Sequence, residues 1–189
     1  MYIYIIEFTA LVLLMVGSWH AAKNYGRAFA QQWFVGAYLA AFIRETLNQT
    51  VFQTYLYSSD VVRIGAAPAL ITMLDAGIAY LAFCFALRFV DSTQTGFIAG
   101  LIFLIVASVA LPIEATAAQM NWWVYTHPSN IALGVPLASL IAWGGGAAIF
   151  YAVFVRVRQS RLPEQGRFYA MVALAPIVAV GQLLLLVLL

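Results

Sequence analysis

Charge is scarce in this chain: among 189 residues 8% are Asp, Glu, Lys or Arg, against 65% hydrophobic. That is too little charge to wet the surface of a water-soluble domain, so composition predicts an integral membrane protein. Cysteine occurs once, at Cys84, which excludes a disulfide framework and cysteine-rich metal sites. Lysine also occurs once, as Lys23 in a polar break, so a retinal Schiff base inside a helix is excluded. The two histidines, His20 and His127, fall on opposite membrane faces under the topology derived below and cannot share one haem or one metal. No phosphate-binding loop, nucleophile elbow or dinucleotide fingerprint is present. A net charge of +2 argues against a nucleic-acid partner.

Long apolar runs are plentiful. A bilayer core of about 30 Å needs roughly 20 apolar residues per helix, and this ruler predicts six spans at about 3–22, 31–56, 65–90, 96–119, 131–156 and 168–188. The first lacks a basic leader and carries Glu7, unlike a cleaved signal peptide. The breaks between runs hold turn residues and charge, as in Ser58-Ser59-Asp60 and His127-Pro128-Ser129-Asn130. Seven of the nine basic residues, Lys23, Arg27, Arg88, Arg156, Arg158, Arg161 and Arg167, lie at the odd-numbered breaks; Arg44 and Arg63 do not. The positive-inside rule then puts both termini outside, in a prokaryotic cytoplasmic membrane. The expected fold is an all-α, polytopic bundle forming a single transmembrane domain.

One polar pattern occurs twice. Glu45, Tyr55-x-Tyr57, Pro68 and Asp75 are followed by Glu114, Trp123-x-Tyr125, Pro136 and Trp143, with 12 and 11 residues from Glu to the second Tyr, 11 from Tyr to Pro and 7 from Pro to the last position. A glycine precedes each proline, Gly65 and Gly134. This predicts two parallel helix-hairpin repeats, about 31–90 and 96–156, with each proline opening a returning helix where its missing N–H costs least. Parallel copies bring Glu45 and Glu114 toward one side of the bilayer.

Glu45 and Asp75 fall near the middle of their runs, Glu114 and Glu7 in the outer halves. A carboxyl at such depth must find a partner or hold a proton, because desolvation disfavours its charged form; pairing with Arg44 or Arg63 as a packing device is the plainer alternative. Helical spacing lines up Asn48, Gln49 and Phe52 beyond Glu45, and Asn121 beyond Glu114. Tyr55, Tyr57, Trp122, Trp123 and Tyr125 suit either an interfacial aromatic belt or the wall of a cavity in which ring faces stabilise a developing cation.

The two blocks, Glu45 through Tyr55-Leu56-Tyr57 to Gly65-Ala66-Ala67-Pro68, and Pro112-Ile113-Glu114 through Trp122-Trp123-Val124-Tyr125 to Gly134-Val135-Pro136-Leu137 and Trp143, resemble the membrane carotenoid-biosynthesis family of carotenoid 1',2'-hydratases and bisanhydrobacterioruberin hydratases. The chain is shorter than that family. It also departs from the family pattern at Asp75, where Trp is expected, and at Ala138-Ser139. The resemblance implies a lipophilic isoprenoid or carotenoid substrate, no metal or redox cofactor, and Glu45, Glu114 and Asp75 as the catalytic acid and base. A neutral Glu45 or Glu114 would protonate a terminal C=C bond, and the cation would sit among Phe52, Tyr55, Tyr57, Trp122 and Trp123, with Tyr125 and Trp143 also lining the substrate site. Water oriented by Asn48, Gln49 or Asn121 and deprotonated by the other acid or Asp75 would complete hydration; a drier cavity would favour cyclisation. Two other classes fit the same residues: a small proton-coupled transporter or channel, and a non-catalytic, pigment-binding subunit of a homo-oligomer or larger membrane complex.

Overall fold

The computed structural model describes residues 3–126, 131–132 and 134–188; His127-Pro128-Ser129-Asn130 lie outside it, and with them any placement of His127. Helix α1 (Ile3–Tyr25) and α2 (Arg27–Leu47) are followed by a π-helical turn (Asn48–Phe52), strand β1 (Tyr55–Tyr57) and the hairpin of β2 (Arg63–Ile64) and β3 (Ala67–Pro68). The series continues with α3 (Ile71–Ala86), α4 (Thr95–Gln119), β4 (Trp123–Tyr125), the hairpin of β5 (Ile131–Ala132) and β6 (Val135–Pro136), α5 (Leu137–Gln159) and α6 (Glu164–Leu188). Among the described residues four helices, α1, α4, α5 and α6, are long and apolar enough to cross a membrane. Helix α2 carries Arg27, Arg44 and Glu45 in its length, and α3 has only 16 residues.

Several boundaries differ from the sequence reading, for local reasons. Between α1 and α2 stands Gly26 alone, with φ +94°, a backbone state that costs a residue without Cβ little; the second helix therefore begins at 27 rather than 31. Its α-helical part stops at Leu47, and the chain leaves through the π turn to Gln53 at φ 49°. Pro68 does not open a helix. It lies in β3 opposite Arg63, at the edge of a two-stranded hairpin where no ladder bond is asked of its nitrogen, and α3 starts three residues later. Pro136 lies in β6 and also directly precedes α5, as its N-cap. With the helices shortened at this end, Glu45 is near the end of α2, Asp75 in the second turn of α3 and Glu114 in the last turns of α4. The acids thus lie beneath the loops rather than at mid-helix.

The two long loops meet. Strands β1 and β4 pair antiparallel with Tyr55 opposite Tyr125, Leu56 opposite Val124 and Tyr57 opposite Trp123; the Ser58 N–H donates to Trp122 O at 2.8 Å and the Thr126 N–H to Thr54 O at 3.0 Å, extending the ribbon. Because β1 follows α2 and β4 follows α4, both helices deliver their chains to the same end of the bundle. Burial alternates identically in the two strands, with Tyr55 and Trp123 inside and Leu56 and Val124 exposed, the period-two pattern of a ribbon covering a core. Glu7 of α1 is buried at this end, and its carboxylate accepts the Val62 N–H at 2.8 Å, tying the first helix to the loop.

The opposite half is an aromatic core. Trp33 of α2 is wholly buried, its ring centroid 5.0 Å from that of Phe83, 5.2 Å from Phe150 and 4.8 Å from Phe154, on α3 and α5. Below it, buried Gln32 accepts from Arg158 at 3.3 Å and donates to Glu164 O at 3.2 Å, linking α2, α5 and the start of α6. Aromatic packing thus fills the bundle at the basic end and polar side chains at the ribbon end.

Candidate functional site

Two hydrogen-bonded clusters form under the ribbon. The first is an ion triad. The Arg44 guanidinium reaches Glu45 Oε1 at 2.5 Å and Asp75 Oδ2 at 2.6 Å through the same Nη2, and Nε adds a bond to Glu45 Oε1 at 3.1 Å. Helical geometry sets Arg44 about 100° around from Glu45 and favours a neighbouring helix as its partner; the long side chain folds back and serves both acids. Tyr55 donates its hydroxyl to the same Glu45 Oε1 at 2.7 Å, while Glu45 Oε2 is buried with no partner. One cation therefore faces two carboxyls, with three donor contacts on Glu45 and one on Asp75.

The second cluster holds Glu114 without any cation among the described residues. Oε2 accepts from Trp123 Nε1 at 2.7 Å and the Tyr125 hydroxyl at 2.5 Å; Oε1 accepts from Trp143 Nε1 and the Ser139 hydroxyl, both at 2.7 Å. Tyr125 Oη and Ser139 Oγ also lie 2.9 Å apart. An indole N–H can only donate, so both carboxyl oxygens must keep a lone pair available.

The clusters touch through rings. Tyr55 and Tyr125 have centroids 5.8 Å apart, Tyr55 and Tyr57 5.5 Å, and Tyr57 and Trp123 5.4 Å, within the range of favourable edge-to-face pairs. Burial, reinforced by Glu45, pushes the Tyr55 and Tyr57 hydroxyls well above their ordinary range, and burial with Glu114 beside it does the same to Tyr125. These hydroxyls are donors throughout the working pH range.

Asp75 also lines a small, partly open cavity of about 20 Å³. Its walls are Ala37, Ala40, Ala41 and Arg44 of α2, Asp75 and Ala79 of α3, Val106 of α4, Trp143, Ala147 and Phe150 of α5, and Gln182 of α6. Neither Glu45 nor Glu114 is in this wall, so the two glutamates do not face each other across one cavity. The group at the void is Asp75, with Arg44 beside it.

The other expected site residues divide. Tyr55, Trp123, Tyr125 and Trp143 each hold one of the two glutamates directly, and Tyr57 packs between their rings. Asn48 and Gln49 are not free to orient water: both amides donate to Tyr55 O, at 3.2 and 2.8 Å, and Asn48 Oδ1 accepts from the Thr54 N–H and hydroxyl, because the π turn leaves these backbone groups to be satisfied by side chains. Phe52 is 45% exposed, on the outer side of that turn. Asn121 is exposed at φ 54°, the left-handed state that ends α4 and that Asn tolerates. Trp122 is half-buried and borders an outer apolar groove with Ile5 and Pro112.

Arg44, expected as the pairing partner of a buried acid, pairs with two and is the hub of the triad; Ser139, which completes the Glu114 cage, and Gln182, which reaches the cavity from α6, were not among the expected site residues. The last had a visible signal: Gln182 is the sole polar side chain from residue 170 to the end of the chain. In comparisons with known proteins, no family model, no curated protein and no solved structure matches the chain.

Proposed function

We propose that the chain spans a membrane six times, as two parallel repeats of residues 31–90 and 96–156, and acts on an isoprenoid or carotenoid by protonating a C=C bond and adding water. Corresponding features support the repeat. The hairpins pair Arg63 with Pro68 and Ile131 with Pro136, the non-glycine residues of positive φ among the described residues are Gln53 and Asn121, and the β1–β4 ribbon is symmetric about Leu56 and Val124. Each pair is separated by the same 68 positions that separate Asp75 from Trp143. The asymmetry lies at that last pair: Trp143 bonds Glu114 directly, whereas Asp75 meets Glu45 through Arg44.

The observation that carries the reading is the triad at the cavity wall. One guanidinium neutralises one carboxylate, and a second buried charge is expensive, so one acid holds a proton. Asp75, with one donor contact against the three on Glu45, is the acid taken to hold it, at the void. In this reading the alanines lining α2, α3 and α5 part to admit an isoprenoid end group, since the cavity as it stands is water-sized. Asp75 gives its proton to one alkene carbon, the π bond breaks, and the tertiary cation forms beside the Trp143 and Phe150 rings. Water adds through its oxygen, and its surplus proton returns to the Asp75 carboxylate. Bonds and charge balance without a further reactant, and Glu45, Arg44 and Tyr55 position the acid.

Expression in a lycopene-producing host tests this. Pigment gaining the mass of one water, and losing that gain in Asp75→Asn, is the expected result; unchanged pigment beside well-folded wild-type protein overturns the reading. The water-sized cavity favours a second reading, proton-coupled movement of a small solute past the triad. Proton flux into liposomes that vanishes in Asp75→Asn, with no pigment product, would select it.

A further inference from the structure

We infer that Gln182 and Asp75 hold a single ordered water in the cavity beneath the ribbon, and that this is the water added in the reaction; the second half rests on the function proposed above, the first does not. Gln182 is 8% exposed, and its Oε1 is buried without a partner. A buried amide oxygen left bare is costly, and in native proteins such an atom is met by protein or by ordered water. The cavity it borders, about 20 Å³, exceeds the roughly 10–15 Å³ needed to place one water.

The chemistry of the wall suits that occupant. Gln182 Oε1 can accept one hydrogen of the water, and the guanidinium of Arg44 and the carboxyl of Asp75 stand in the same wall. Two to four polar partners are what a buried water takes. The charged groups around the void are Arg44 and Asp75, with Glu45 behind Arg44. The guanidinium in the wall makes a neutral water a better guest than a metal cation.

A second observation shows that Gln182 is accommodated by design of the neighbouring helix. A Cβ added at Gly146 would lie 2.5 Å from Gln182 Nε2, so α5 gives up a side chain where the amide crosses it. The Gly144-Gly145-Gly146 run of α5 leaves room at its third member for a polar group.

Gln182 is thus a positioning residue, acting through the water. Gln182→Met keeps length and removes the acceptor. The first readout is an experimental structure of the wild-type protein at a resolution that shows ordered water. Density within hydrogen-bond reach of Gln182 Oε1 and Asp75 is expected, and a dry cavity overturns the inference, whether or not the variant folds. The second readout is kinetic. With the water gone, kcat for hydration should fall about tenfold, the order of one lost positioning bond, with KM unchanged because Gln182 does not hold the substrate. Unchanged kcat in folded Gln182→Met overturns the delivery role. Water present in a wild-type protein that hydrates nothing leaves the site standing and overturns the reaction.

Discussion

At the scale of single residues the two glutamates, alike in sequence, are chemically distinct. Glu114 is caged by four neutral donors, two of them indoles that cannot accept. Glu114→Gln must turn an amide N–H toward one indole N–H, donor against donor. It should cost about 1–3 kcal/mol, read as a lower Tm in detergent, and so any loss of function in that variant reports the fold as well as the chemistry. Glu45→Gln lets Asp75 ionise and neutralise Arg44 in place of Glu45, and should cost less than Glu114→Gln in the same assay; equal losses would contradict the cage. Asp75→Asn should keep near wild-type stability and lose activity, because its role is at the cavity wall. The identities of these acids were legible in sequence, since carboxyls in apolar runs are conspicuous. Their partners were not: Tyr55, Trp123 and Trp143 reach them only after the loops fold over, and the reach of Arg44 to both acids follows from side-chain length and not from helical angle.

At the scale of elements, the aromatic loops are a structure in their own right. An interfacial belt needs no partner for its strands, whereas Tyr55-Leu56-Tyr57 and Trp123-Val124-Tyr125 pair in a fixed register. Leu56 and Val124 are exposed and directly opposite, at a spacing that suits a disulfide. In a Cys84→Ala background, Leu56→Cys with Val124→Cys should crosslink under mild oxidation, detected as a mobility shift on non-reducing gels. Leu56→Cys with Ser139→Cys should not, since Ser139 is buried against Glu114. Helix existence was legible from apolar length, and α4 at Thr95–Gln119 sits almost on its expected range of 96–119. The ends of α2 and α3 were not. Apolar residues 48–57 and 65–70 suit a short strand or a helix equally well, and what chose between them was the partner strand 68 residues away and the side-chain bonds of Asn48.

For the whole molecule, charge separates the two ends of the bundle. Arg156, Arg158, Arg161 and Arg167 surround the turn between α5 and α6, and the ribbon lies at the opposite end. If the basic end is cytoplasmic, Ser160→Cys in a Cys84→Ala background should resist a membrane-impermeant thiol reagent in intact cells and react after lysis, while Ser59→Cys reacts in both. The reverse pattern would invert the topology. Composition and run length decided that this is a helical protein with helices able to span a membrane, because apolar length is a local property of the chain. The doubled Glu, aromatic and Pro pattern likewise marked which residues gather at one end. Only the tertiary structure decided which acid meets a void, which is caged and which is paired, because those states depend on donors brought from other helices. Asp75 at the cavity, Glu114 within its four donors and Gln182 from the last helix are outcomes of packing, and packing distance is not written in spacing along the chain.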